Sequence, residues 1–232
     1  MEIMNHIDRI YTKRPFFGVI RITGQLKDEN RLVNHKRVYR LMRIMGIEAI
    51  GPKPNFSKPD NSHPVYPYLL KDMVITRPNQ VWGVDITYVP LLGDWLYLVA
   101  IIDWYSRFVI AWELSDTLEV GFCCEALKDA LTVGIPDIHN SDKGSHFTAK
   151  EYLDILQAHP IRISMDSRGR AFDNIFTERL WRTVKYEDVY LKEYQTPREA
   201  RQSLTEYFQF YNYERRHQGI NKCRPADIYF NN

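Results

Sequence analysis

Three carboxylates stand out by their setting. Asp85 interrupts "QVWGVDITYVPLL", a run rich in β-branched and aromatic residues that reads as a buried strand. A lone buried carboxylate is expensive unless it is paired, hydrogen-bonded or holds a metal. Asp85 therefore either bonds nearby backbone or an arginine, or shares a cation with other acids. Asp142 follows a short strand at 136–140, in a turn tightened by Gly144. Open α/β sheets carry functional groups at such strand ends. Glu178 comes after 35 intervening residues, on a helix that begins near Asp173. Carboxylates that converge suit hard cations such as Mg²⁺, which take oxygen ligands. Without a cation they repel one another, so an empty site should be partly protonated or weakly ordered.

The elements that must position these acids are legible in outline. Strands are expected at 81–90, 96–103 and 106–114, with turns at "GD" (93–94) and "DWYSR" (103–107). A helix at 118–132, the strand at 136–140, a helix at 148–158 and a strand at 161–165 follow. The helix carrying Glu178 and a last helix at 197–214 complete the series. This order predicts an α/β fold: a mixed sheet flanked by helices. In the last helix Leu204, Phe208 and Tyr211 form an apolar stripe that reads as core. Asp103 opens its turn and either caps it or joins the acids.

Upstream, residues 7–24 read as one helix. A second, in "VNHKRVYRLMRIMGIEAI", carries Val33, Val38, Leu41, Met42 and Met45 at helical spacing and stops at Gly46. Lys36, Arg37, Arg40 and Arg43 lie on its other faces. Two helices with a basic second one suit a helix-turn-helix-like DNA-binding segment, or a plain hairpin with solvated charge. Five prolines at 52, 54, 59, 64 and 67 mark a linker. The expected layout is a helical segment at 1–50, a Pro-rich linker at 51–79, a catalytic core at 80–190 and a C-terminal helical extension at 191–232.

Net charge is +2, unevenly spread. Residues 1–60 hold 12 Lys/Arg against 6 Asp/Glu, and residues 81–160 hold 4 against 12. A basic flank beside an acidic centre suits a polyanion next to a cation site, although ordinary surface charge gives the same totals. No run of about 18 apolar residues predicts a membrane span, and the polar N-terminus has no signal-like core. Cys123, Cys124 and Cys223 fit neither a disulfide framework nor a metal-binding spacing, so a reduced, cytoplasmic protein is expected.

The order and spacing of Asp85, Asp142 and Glu178 resemble the Asp–Asp–Glu triad of retroviral-integrase-type transposases. "NQVWGVDITYVPLLGDWLYLVAIIDWYSRFVIAW", "NSDKGSHFT", "RISMDSRGRAFDNIFTERLWRTVKYEDVYLKEY" and "FYNYERRHQGI" are similar to bacterial insertion-sequence transposases of the family named for insertion sequence three. "IDRIYTKRPFFG" and "NHKRVYRLMRIMGIEAI" resemble that family's helix-turn-helix segment. The likeness covers nearly the whole chain.

The resemblance implies a ribonuclease-H-like fold and an enzyme that cuts and joins DNA at element ends. Its carboxylates Asp85, Asp142 and Glu178 would hold two Mg²⁺ or Mn²⁺ ions. In-line attack on a phosphodiester by water or a 3′-hydroxyl is chemistry that such ions assist at both the attacking and the leaving oxygen. Lys185, seven positions after Glu178 on the same helix face, matches a residue that contacts the DNA end. Arg182 either contacts DNA or pairs with Glu178. Asn174 supports the site or starts the helix. Arg168, Arg170, Lys143, Arg215 and Arg216 are further candidates for phosphate contact. His139 and His146 flank Asp142, but Mg²⁺ prefers oxygen.

The family also implies assembly of several copies on DNA, association with the bacterial nucleoid, and a partner from an upstream frame carrying a further helix-turn-helix and a coiled coil. Departures from its usual pattern fall at Ile20, Lys143, His146 and Arg216, none of them in the triad. A rival reading is a decayed, DNA-binding relic that regulates the element.

Overall fold

The computed structural model describes residues 2–50, 66–166 and 174–231. Two compact units divide the chain, Met1–Pro59 and Asp60–Asn232. Arg168 and Arg170, and the helix start expected at Asp173, lie outside the described residues.

The first unit has three helices rather than two: α1 (Glu2–Lys13), α2 (Val19–Asp28) and α3 (His35–Ile44). The single helix expected at 7–24 breaks at "RPFFG" because Pro15 cannot continue the hydrogen-bond ladder. Gly18 then caps α2. Ile7, Ile10, Ile22, Leu26, Val38 and Met42 form the core, and Val33, Leu41 and Met45 pack against it, as the stripe in α3 predicts. Asn34 caps α3 by accepting from the Lys36 N–H at 2.9 Å. Gly46, in the left-handed region at φ +66°, ends it. Lys36, Arg37, Arg40 and Arg43 are all exposed.

The second unit is built on a five-stranded mixed sheet in the order β3-β2-β1-β4-β5. β1 (Val81–Leu91), β2 (Asp94–Asp103) and β3 (Val109–Ser115) form an antiparallel meander. β4 (Ile138–Ser141) and β5 (Arg162–Met165) add in parallel on the other side of β1. Period-two alternation divides the strand residues between two cores. Trp82, Val84, Ile163 and Met165 face α4 (Val120–Val133) and α5 (Lys150–Gln157). Val81, Val89 and Ile138 face α6 (Ile175–Val184) and α8 (Pro197–Tyr213). Leu204, Phe208 and Tyr211 lie in that second core, as their stripe predicts.

Residues 66–79, expected as the end of a linker, lie against this unit. The Leu69 N–H donates to Ser164 Oγ at 3.0 Å, and Leu70 is buried. The free edge of β5 is thereby covered. A short C-terminal helix, α9 (Pro225–Phe230), was not foreseen; its Tyr229 stacks on Phe108 at 4.7 Å.

The helix that carries Glu178 does not stay regular through "VKYEDVY". After α6 the chain passes through a π-helical turn, Lys185–Val189, and then a short α7 (Tyr190–Lys192). The wider turn brings Asp188 inward, where it is almost fully buried. Asp188 accepts from the Tyr194 hydroxyl and from Ser203 Oγ at 3.1 Å, and pairs with Lys192 Nζ at 2.6 Å. This network fixes the C-terminal end of α6 to α8. Replacing Asp188 by Ala strands two buried hydroxyls, so the urea-unfolding free energy should fall by about 1–3 kcal/mol with an unchanged slope.

Candidate active site

Sheet register brings acids together on the face that α6 covers. Gly83 pairs with Asn140 across β1 and β4, which sets Asp85 level with Asp142 two residues on. Ser141 pairs with Met165 across β4 and β5, which sets Asp142 level with Asp166. Asp85, Asp142 and Asp166 thus form a row across three neighbouring parallel strands, roughly 4.8 Å apart from strand to strand. Alternation points all three to the same side as Val81 and Ile138.

Asp85 is the most enclosed of the three. The Ile86 N–H donates to its Oδ1 at 2.8 Å, and the indole Nε1–H of Trp181 donates to its Oδ2 at 3.0 Å. Burial pushes its carboxyl up to about 6, these two donors oppose the rise, and Asp142 and Asp166 add to it. The Gly144 N–H turns back onto Asp142 Oδ1 at 2.8 Å. A side chain on Gly144 would come within 2.8 Å of that oxygen, so the tight turn and the carboxylate's orientation are set together. Asp166 accepts from Asn140 Nδ2 at 2.8 Å.

Glu178 is exposed on α6. Two of its helix neighbours tie α6 to β1. Trp181 bonds Asp85, and Asn174 Nδ2 reaches the Val84 carbonyl at 3.4 Å while its Oδ1 accepts from Thr177 Oγ1 at 2.5 Å. Gly83 makes this approach possible, since a Cβ there would fall 2.2 Å from Trp104 Nε1 and 3.1 Å from Thr177 Oγ1. Among the described residues no three His, Cys, Asp or Glu side chains lie close enough together to hold one ion. Asp85 and Asp142 are brought together; Glu178 is exposed on α6, the helix whose Trp181 bonds Asp85.

The donor set nevertheless fits a hard cation. It is all oxygen, and at Asp85 burial, with the nearby Asp142 and Asp166 adding to it, already disfavours the charged carboxylate, a cost that a cation would relieve. The two nearby histidines are occupied elsewhere: His139 Nε2 meets the Tyr152 hydroxyl at 2.9 Å, and His146 Nε2 meets the Leu118 carbonyl at 2.9 Å. Asp103 caps its own turn, accepting from the Ser106 N–H and hydroxyl at 2.7 and 2.6 Å.

Comparison with known proteins places this arrangement. Residues 75–171 and 159–225 match the description "Integrase core domain", and residues 1–55 match "HTH-like domain". The transposase of element IS904 from Lactococcus lactis is 30% identical, over 91% of this chain and 87% of its own length. The putative transposase InsK of IS150 from Escherichia coli is 32% identical, over 92% and 78%. The chain belongs to the IS3 family of insertion-sequence transposases.

Solved structures show the same ribonuclease-H-like fold at lower identity. The HTLV-2 integrase catalytic core in complex with magnesium superposes with a TM-score of 0.52 at 18% identity, covering 66% of this chain and 97% of that one. A chain of the simian T-cell lymphotropic virus intasome gives 0.55 at 16%, covering 68% of this transposase and 57% of itself.

Sequence alone does not reveal two parts of this candidate site. Asp166 was passed over, although it follows β5 as Asp142 follows β4. Trp181 was read only as part of a helix, because nothing in sequence shows that an indole three residues after Glu178 reaches β1. Of the basic candidates, Lys143 and Arg182 are exposed and Lys185 is half-buried at the end of α6. Arg215 chelates Glu187, with contacts of 2.6 and 2.8 Å. Arg216 donates to the Lys222 carbonyl at 3.1 Å.

Because folding raises the Asp85 pKa, the folded state is penalised once pH exceeds the unfolded value, fully so above about 6. Asp85→Asn removes that penalty. In EDTA at pH 7.5 the variant should be more stable than wild type by about 1–2 kcal/mol, with the difference fading below pH 6 and gone near pH 4. Thermal melts across this range check it.

Proposed function

We propose that this transposase cleaves DNA at the 3′ ends of its insertion sequence and joins the freed hydroxyl to DNA, with Asp85, Asp142 and Glu178 as catalytic carboxylates. The observation that carries the reading is Asp85, held on a rigid strand level with Asp142, against the helix that bears Glu178. Two Mg²⁺ or Mn²⁺ ions held by these three residues would supply charge stabilisation at the attacking and leaving oxygens.

The chain's own contribution is positioning. Two N–H donors fix the Asp85 carboxylate, and Trp181 and Asn174 anchor α6 so that Glu178 is carried beside the strand ends. α6 is regular from Ile175 to Val184, so Glu178, Arg182 and Lys185 project from neighbouring positions of one face. Arg182 and Lys185 then neutralise phosphates next to the acids. Lys143 serves the strand that passes Asp142. Arg168 and Arg170, just before α6, belong to the same phosphate-contacting set, with Arg215 and Arg216 as its outer members. Asn174 acts first as an anchor of α6 and through it on DNA. Lys36, Arg37, Arg40 and Arg43 read the element end from α3. The working form is an oligomer on DNA, with an upstream-frame product as fused or separate partner, in the cytoplasm at the nucleoid.

A cleavage assay on duplexes carrying the element's ends, with Mg²⁺, tests this function. Glu178→Gln and Asp142→Asn should each lower the rate by more than about 100-fold, the most that losing an outer-shell partner usually takes away. Cleavage that survives Glu178→Gln removes the proposed mechanism. Metal-independent binding with no cleavage by wild type would favour a regulator of the element instead.

A further inference from the structure

Next to Glu178, α6 has a second exposed face turned toward the C-terminal segment. It borders a cavity of about 800 Å³ lined by Arg107, Arg179, Arg182, Arg215 and Arg216, with Glu187 as the one carboxylate among the described lining residues. Glu187 is already engaged: Arg215 chelates it and the Tyr207 hydroxyl donates to it at 3.0 Å. The other four guanidinium groups have no carboxylate partner among the described residues. Left empty, such a concentration of like charge is unfavourable.

Arg107 shows that the concentration is built in. Its backbone sits at φ +66°, a region that non-glycine residues rarely adopt and that often marks a functional site. This turns the side chain under α6, where the guanidinium lies 3.4 Å from the centre of the Phe176 ring and donates to the Trp104 carbonyl. Burial lowers its pKa to about 10, and the charge of Arg179 adds to the fall. A half-buried cation thus stands beside a second cation, and both border one cleft.

We propose that this cleft seats phosphodiester groups of a DNA strand that continues from the carboxylate row across α6. The inference rests on the transposase reading and adds Arg107 and Arg179 to the DNA-binding surface as a site separate from the carboxylates. Guanidinium forks match phosphate oxygens two at a time. Phe176 and Tyr211 line the same cavity and offer apolar walls to sugars or bases. Arg179 directly follows Glu178 and Arg182 lies one turn on, so a strand in the cleft is continuous with one at the acids. An acidic peptide from a second copy is the competing occupant, but nothing places it next to Glu178.

The test uses the full chain and a fluorescein-labelled duplex of about 30 base pairs of arbitrary sequence, in EDTA, because backbone contacts are sequence-independent. Fluorescence anisotropy gives Kd as KCl is varied. Arg179→Gln and Arg216→Gln should each weaken binding and flatten the log Kd against log[KCl] slope by about 0.9 per lost contact, and the double variant by about twice that. Arg198→Gln, exposed on α8 outside the cleft, should leave the slope unchanged, and circular dichroism melts verify that every variant is folded. Unchanged slopes in folded cleft variants overturn the cleft while leaving the transposase reading intact. Unchanged slopes with loss of self-association by ultracentrifugation overturn it in favour of the acidic-peptide occupant. A wild type that binds no duplex overturns the cleft, while the cleavage assay on element ends still decides the transposase reading.

Discussion

An ionisable side chain on the covered face of a sheet needs neighbours that offset its charge, and at Asp85 two N–H donors do so only in part. Its carboxyl stays protonated up to about pH 6, with Asp142 and, further along the row, Asp166 adding to the effect of burial. Much of the surrounding structure exists to hold this unfavourable arrangement. Parallel register of β1, β4 and β5 sets the row level, Gly83 lets α6 approach, and the Trp181 indole closes the contact. The buried Asp188 network then pins the far end of the same helix.

α6 divides two kinds of electrostatics along one element. The side near Trp181 meets carboxylates; the side of Arg179 and Arg182 meets arginines. Glu178 lies between them. A substrate that carries phosphates and reacts at a hard cation would be suited by both sides, and the helix is irregular only after Val184, beyond this boundary. The helix-turn-helix-like unit adds a separate basic face on α3, carried on its own small core.

Much of this was legible in the sequence, for stated reasons. Runs of β-branched and aromatic residues located the five strands to within three residues at each end, and the acids at strand ends followed from them. The split of the first helix was also there to read, in Pro15. Asp166 was hidden because parallel register between β4 and β5 is a tertiary fact: the sequence shows an acid after a strand, not which acid it faces. The π-helical turn was hidden for the same reason, since it is driven by the buried partners of Asp188. Arg107 in a left-handed turn gave no sequence signal at all, as arginine has no preference for that region.

The most direct test of the carboxylate row is calorimetric titration of Mn²⁺ into the wild-type chain and Asp85→Asn, at pH 6 in buffers of different ionisation enthalpy. If the crowded acids await a cation, wild type binds Mn²⁺ and releases protons, seen as a buffer-dependent heat, and the variant loses both. Equal binding in the two proteins, with no proton release, would contradict it.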